Sequence, residues 1–359
     1  MALELLAVVL MIVTSVVAQN LVCYYDSSAA SYATPTLPQD LSSTECTHYI
    51  YVGLGVTAQG DLRILSNYDA SSGFNDFQNL RAIGDGKLYI QVGTDLREGS
   101  KNLTNAISGK CDKLVNNIAL FLEQYNFDGV ELERQTNDFD KTALAKCINK
   151  LRARLYMINK ELAVAISAQW SNTYDVTSLS LYTNMINVHG YNFTGTTTNT
   201  ANLSPLFSDA TSPISVNSTL MALIAAGARK NKINLVVATY ARTYLLVSED
   251  QRGVGARTTG PGAAGANTKR AGLLARYEAC PRFADYTEVD NSNTATTYYY
   301  KVKNWLSIET ENTLVQKFTF ILDNELAGAG IYTLDLDDVS NACGAGAFPA
   351  VQLANLYLF

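Results

Sequence analysis

Residues 127–135 read FDGVELERQ. Asp128 and Gly129 form a turn signal, and the run behind them alternates Val130 and Leu132 with Glu131 and Glu133. Residues two apart on a strand project to one face, so Glu131, Glu133 and Gln135 line up together. Two carboxylates and one carboxamide in a row suit a site for chemistry, or a polar strand edge. The choice depends on the sheet to which this strand belongs.

Short apolar runs recur on either side of it. LVCYY (21–25), YIYVGLG (49–55) and KLYIQVG (87–93) precede it, and LAVAISA (162–168), MINVHGY (185–191), INLVVATY (233–240) and AGIYTLDL (329–336) follow. Between them lie helical patterns such as CDKLVNNIALFLEQY (111–125) and TALAKCINKLRARLYMIN (142–159). Alternation of this kind predicts an α/β fold, a closed (β/α)8 TIM barrel, with an open doubly wound sheet as the alternative. No G-x-G-x-x-G follows a strand, which disfavours the nucleotide-binding sheet. About 90 residues separate the seventh and eighth strands, too many for a bare loop. They predict a small α+β insertion at 245–308, forming one wall of a cleft.

The chain has 359 residues, 47% of them apolar, and a net charge of −6 without a long basic run. That composition supports a large folded core and lacks the footprint of a nucleic-acid binder. Residues 5–17, LLAVVLMIVTSVV, fall short of the roughly 20 needed to span a bilayer, and a small residue, Ala18, closes the run. We therefore expect a signal peptide over 1–18, a mature domain over 19–359, secretion, no membrane insertion and a monomer. Six cysteines fit an oxidising compartment, although spacing alone cannot choose their pairing. Glycosylation sequons begin at Asn102, Asn192, Asn202 and Asn217. Asn102 and Asn217 are the expected acceptors; Pro205 follows the third sequon, and Asn192 is expected to be recessed.

In a barrel of this kind the site forms at the C-terminal ends of the strands. Tyr25, Tyr191, Asn192, Tyr240, Arg242 and Tyr332 join Glu133 and Gln135 there as candidate glycan-binding residues. Aromatic faces combined with hydrogen-bonding groups suit a sugar chain.

These residues resemble the family 18 glycoside hydrolases, the chitinases and chitinase-like proteins. The family's fourth-strand motif has the form D-G-x-D-x-D-x-E, and Asp128, Gly129, Glu131, Glu133 and Gln135 occupy its positions. LVCYYDSS, CTHYIYVGLG, YNFTG, INLVVATYART, GPGAAGANTKRAGLLARYEAC, YTLDLDD and CGAGAFPAV have counterparts in the same order. Within the family the chain is most similar to the insect imaginal disc growth factors, although their long charged insertion after the fourth strand is replaced here by TNDF. The resemblance implies pairing of Cys23 with Cys46 and of Cys280 with Cys343, which leaves Cys111 with Cys147.

It also implies a chemistry in which the acetamido group of the substrate attacks, the middle Asp of the motif orients that group, and the final Glu protonates the leaving oxygen. Gln135 has no acidic proton, and general acid catalysis is typically worth about 10² to 10⁴ in rate. Glu131 and Glu133 are each one methylene longer than the motif's Asp, which displaces the orienting carboxylate. Asn192, Arg134 and Tyr332 also depart from the family's usual Asp and two Trp residues. The expectation is a non-enzymatic chitinase-like protein that binds chitin or N-acetylglucosamine glycans or acts as an extracellular growth factor in growth, moulting or wound repair, with a cell-surface receptor as a second kind of partner.

The alternatives are a weak chitinase using Glu133, and a protein-interaction or immune-recognition scaffold. The family needs no metal or cofactor, and none is expected. His48 is expected to be structural, and His189 a core histidine able to bond Glu131 or Glu133. Trp170 and Trp305 could line the cleft or pack in the core.

Overall fold

The computed structural model describes residues 20–82, 84–93, 101–133, 140–167, 174–193 and 198–359. The expected signal segment 1–18, Arg134, Gln135, residues 136–139 and Trp170 lie outside them. Among the described residues, eight strands run parallel: β1 (Asn20–Asp26), β2 (His48–Val56), β3 (Lys87–Val92), β4 (Gly129–Glu133), β5 (Glu161–Ser167), β6 (Met185–His189), β7 (Ile233–Ala238) and β8 (Gly328–Tyr332). Each pairs with its neighbour in sequence, and β1 pairs with both β2 and β8. The sheet therefore closes into the expected barrel, and the open sheet is excluded. The strands read as nearly unbroken apolar runs because one face packs into the barrel and the other against the surrounding helices.

Local signals set the strand that carries the acidic row. Asp128 Oδ2 accepts from the Leu88 amide at 2.8 Å and pairs with Arg81 at 2.9 Å, anchoring the entry to β4. A Cβ at Gly129 would stand 2.6 Å from the Tyr89 ring and 2.8 Å from the Glu161 carbonyl, so only glycine lets β3, β4 and β5 approach there. Asp128 and Gly129 thus hold the N-terminal end of the strand, roughly 15 Å from its C-terminal end at a rise of about 3.3 Å per residue.

Helices Cys111–Gln124 and Lys141–Met157 flank β4 in sequence. The second is capped by Asp140, which accepts from the amides of Thr142 and Ala143. Disulfides join Cys23 to Cys46, Cys111 to Cys147 and Cys280 to Cys343.

An antiparallel sheet lies between β7 and β8, with strands from Ala241–Leu246 to Asn304–Ile308. It has its own core. Trp305 is 1% exposed, stacks on Tyr298 with ring centroids 5.0 Å apart, and donates from Nε1 to the Arg252 carbonyl at 3.0 Å. It therefore lines no cleft: its indole is consumed in packing this sheet.

Replacing Cys111 and Cys147 together by alanine removes a crosslink that closes 36 residues. We expect a loss of about 3–4 kcal/mol, from the greater conformational freedom of the unfolded chain. Urea unfolding of the double variant checks it, and an unchanged midpoint would exclude this stabilisation.

Candidate functional site

Glu131 and Glu133 both face the barrel interior, but at different levels. Glu131 is fully buried. Its Oε1 accepts from Gln91 Nε2 at 2.7 Å, and its Oε2 accepts from Asn187 Nδ2 at 2.5 Å and from the Tyr24 hydroxyl at 2.9 Å. Asn187 in turn accepts from Asn234 at 2.8 Å, and Asn234 from Asn20 at 3.2 Å. The result is a hydrogen-bonded belt across β1, β3, β4, β6 and β7. Burial pushes the Glu131 carboxyl up to about 7, against the hydrogen bonds from Asn187, Gln91 and Tyr24, while the nearby Glu133 charge adds to the rise. Enclosed on all sides, Glu131 organises the barrel and cannot reach a substrate.

Glu133, two residues on, stands at the C-terminal end of β4 and is 7% exposed. His189 is the buried core histidine expected, and it does not use its ability to hydrogen-bond either carboxylate. His189 Nδ1 lies 3.8 Å from Glu133 Oε1 and instead meets the Tyr191 hydroxyl at 2.9 Å. Burial pulls the imidazole down to about 3, so it is neutral at ordinary pH.

Aromatic rings complete this layer. Tyr332 packs with Tyr24, His189 and Tyr191 at centroid distances of 5.3, 5.3 and 5.4 Å, and Tyr191 meets Tyr240 edge-on at 6.0 Å. Tyr332 remains partly open, and Tyr191 and Tyr240 are nearly buried. At the rim Arg242 Nη1 donates to Asn192 Oδ1 at 2.5 Å, linking the segment after β6 to the antiparallel sheet.

Two corrections concern the expected surfaces. Tyr25 points away from the mouth: its hydroxyl donates to the Thr36 carbonyl at 2.9 Å and its ring packs against Tyr51 and Phe77. Adjacent strand residues take opposite faces, so Tyr24 holds the inward position. Asn192 is exposed, not recessed, because its amide reaches out to Arg242. Asn202, in contrast, is 5% exposed and donates to Ser212. Asn102 and Asn217 are partly exposed.

His48 is buried at the start of β2, where Nδ1 lies 2.8 Å from Thr47 Oγ1; burial lowers it to about 4. Arg270, in the segment before Leu273, was not foreseen. It approaches Tyr32, Asp26 and Tyr332 and so brings a cation to the rim. Beside it Asp335 accepts from the Asp26 amide at 3.0 Å and the Tyr32 hydroxyl at 3.1 Å. Burial and the charge of Asp26 raise it to about 7. Nothing in a glycine-rich stretch marks Arg270 in advance.

The family model described as glycosyl hydrolases family 18 matches residues 20–337. The chain belongs to that family. It is 29% identical over 370 residues to the oviduct-specific glycoprotein of Sus scrofa, an alignment covering 94% of this chain and 68% of that protein. Across such oviduct glycoproteins it spans from about half to two thirds of their length.

The fold matches the Ostrinia furnacalis Group IV chitinase solved with allosamidin, with a TM-score of 0.87 at 22% identity over 94% of this chain and 98% of that one. It also matches human YKL-39, with a TM-score of 0.87 at 24% identity over 95% and 100% of the two chains.

The raised carboxyl at Glu131 gives a signed prediction. Below the unfolded value near 4.5 both states bind the proton; between there and about 7 only the folded state holds it, so stability falls as pH rises through that window. Relative to Glu131→Gln, the wild type should lose up to about 3 kcal/mol from pH 4.5 to 8. Urea unfolding of both proteins across that range measures it; a difference independent of pH would show that Glu131 ionises freely in the fold.

Proposed function

We propose that this family 18 chain is a secreted chitinase-like protein that holds chitin or another N-acetylglucosamine glycan at the barrel mouth without cleaving it. The observation that carries this reading is Gln135 in the sequence, where the family motif places its proton donor. A carboxamide can bond the glycosidic oxygen but cannot protonate it. The surroundings agree with retention of a sugar. Tyr332, Tyr191 and Tyr240 supply aromatic faces, while Glu133, Asn192 and Arg242 supply polar edges. Human YKL-39, a pseudo-chitinase with retained chitooligosaccharide binding properties, shares the fold and offers a precedent for this division of labour. An extracellular growth-factor role is consistent with the resemblance to the imaginal disc growth factors and would operate through the same fold.

A second reading rests on Glu133, a carboxylate near the mouth that could donate a proton weakly. One experiment separates the two. Calorimetric titration with penta-N-acetylchitopentaose should show saturable binding, while a reducing-end assay on the same samples should show no sustained turnover. Tyr332→Ala should weaken binding roughly tenfold, the loss expected for one aromatic contact. Turnover that disappears in Glu133→Ala would establish the weak chitinase, and absence of binding would remove the glycan reading altogether. Expression in a secreting eukaryotic host should yield a soluble product whose first residue is Gln19; a product retaining Met1 would refute the expected signal peptide.

A further inference from the structure

A second concavity shares no residue with the mouth. It has a volume of about 490 Å³ and opens between the antiparallel sheet, the helix Glu311–Asp323 and the helix Pro349–Leu358. That volume is within the usual range of about 300–1,000 Å³ for small-molecule sites. Its apolar walls include Leu314 and Leu353 from the two helices, and Phe283 and Tyr299, whose rings stack at 4.3 Å and 10°. Cys280 and Cys343 both line it, and the disulfide between them ties the segment before the strand Thr287–Asn291 to the segment before the helix Pro349–Leu358. The walls therefore stand in place before a guest arrives.

The charges around it lean negative. Arg276 Nε lies 2.9 Å from Asp337 Oδ1, and Lys317 Nζ lies 2.8 Å from Glu309 Oε2, so each of these cations is matched by one acid. Asp338, fully buried, accepts from the amides of Ala342 and Cys343 at 2.8 and 2.7 Å and has no ion pair among the described residues. Glu311, in the first turn of its helix, lines the cavity, is exposed, and likewise pairs with no cation among the described residues. Two acids are thus left without a counter-charge, and one of them meets solvent at the open edge.

This distribution sorts guests by charge and sets where the charge must sit. An anion meets repulsion from the unmatched acids, and a neutral molecule gains only the burial of its apolar body. A cation placed deep in the cavity would give up its hydration against pairs that are already matched. Placed at the edge beside Glu311, it keeps its water, as the ammonium of a snorkelling lysine does, while the body it carries covers the apolar walls. An ion pair so exposed contributes modestly, so the walls supply most of the affinity and Glu311 the preference for positive charge.

We propose that this cavity is a binding site for a small amphipathic amine, whose apolar body lies against Phe283, Tyr299, Leu314 and Leu353 and whose ammonium group stays at the open edge beside Glu311. The site is independent of glycan binding at the mouth.

Three probes of one shape test it by calorimetry and by ligand-observed NMR with the whole mature protein: 4-pentylbenzylammonium, 4-pentylbenzyl alcohol and 4-pentylbenzoate. The ammonium should saturate one site. The alcohol should bind about three- to fivefold more weakly and the benzoate more weakly still, with the gap narrowing in about 0.5 M NaCl. Glu311→Gln, at an exposed position, should bring the ammonium and the alcohol to within about twofold of each other and leave the affinity for the alcohol unchanged. Leu353→Trp, and as a second variant Leu356→Trp at the exposed edge, should each reduce affinity for the ammonium at least about tenfold with an unchanged circular dichroism spectrum. No saturation by the ammonium, equal or tighter binding of the alcohol or the benzoate, an undiminished preference for the ammonium in Glu311→Gln, or full affinity in folded forms of both tryptophan variants would each overturn the proposal.

Discussion

The barrel is organised around a carboxylate that never meets solvent. Glu131 gathers donors from Tyr24, Gln91 and Asn187, and the chain of amides through Asn187, Asn234 and Asn20 carries the bonding on to β7 and β1. Such a belt fixes registers that apolar packing alone leaves loose, since leucine and valine tolerate sliding while a hydrogen bond at 2.5–2.9 Å does not. Everything above it inherits that precision. The level of Glu133, the seat of His189 and the height of the tyrosine cluster all follow from strands held in register one layer below.

The acidic row thus separates into two jobs along a single strand. Asp128 and Gly129 secure the entry, Glu131 braces the interior, and Glu133 alone among the described carboxylates of β4 stands near the mouth. Each step of two residues moves the side chain about 6.6 Å along the barrel, which takes it from full enclosure toward the rim. A motif that looks uniform in sequence is therefore graded in accessibility. Two positions beyond Glu133 in the sequence stands an amide, Gln135.

The same grading explains what could be read without coordinates and what could not. Alternating apolar runs and helical patterns suffice to reach the eight-stranded barrel, because closure is the economical way to bury so many parallel strands on both faces. The parity of β1 was not legible: Leu21 to Tyr25 are all buried, so hydrophobicity carries no phase, and the sequence offers equal grounds for Tyr24 and Tyr25. Tyr24 faces Glu131, and Tyr25 faces Tyr51 and Phe77. Trp305 was ambiguous for a related reason, since an indole serves a cleft or a core equally well until its neighbours are known.

Sequence by itself determined the strand and helix alternation, the row of Glu131, Glu133 and Gln135, and the cysteines available for crosslinking, because these rest on local periodicity and residue chemistry. Tertiary structure decided which acid is enclosed, that His189 turns to Tyr191 and not to a carboxylate, and that Arg270 and the buried Asp335 both approach Tyr32. Those outcomes depend on side chains brought together from strands and loops far apart in the chain. Their distances are set by barrel closure, and no local pattern encodes them.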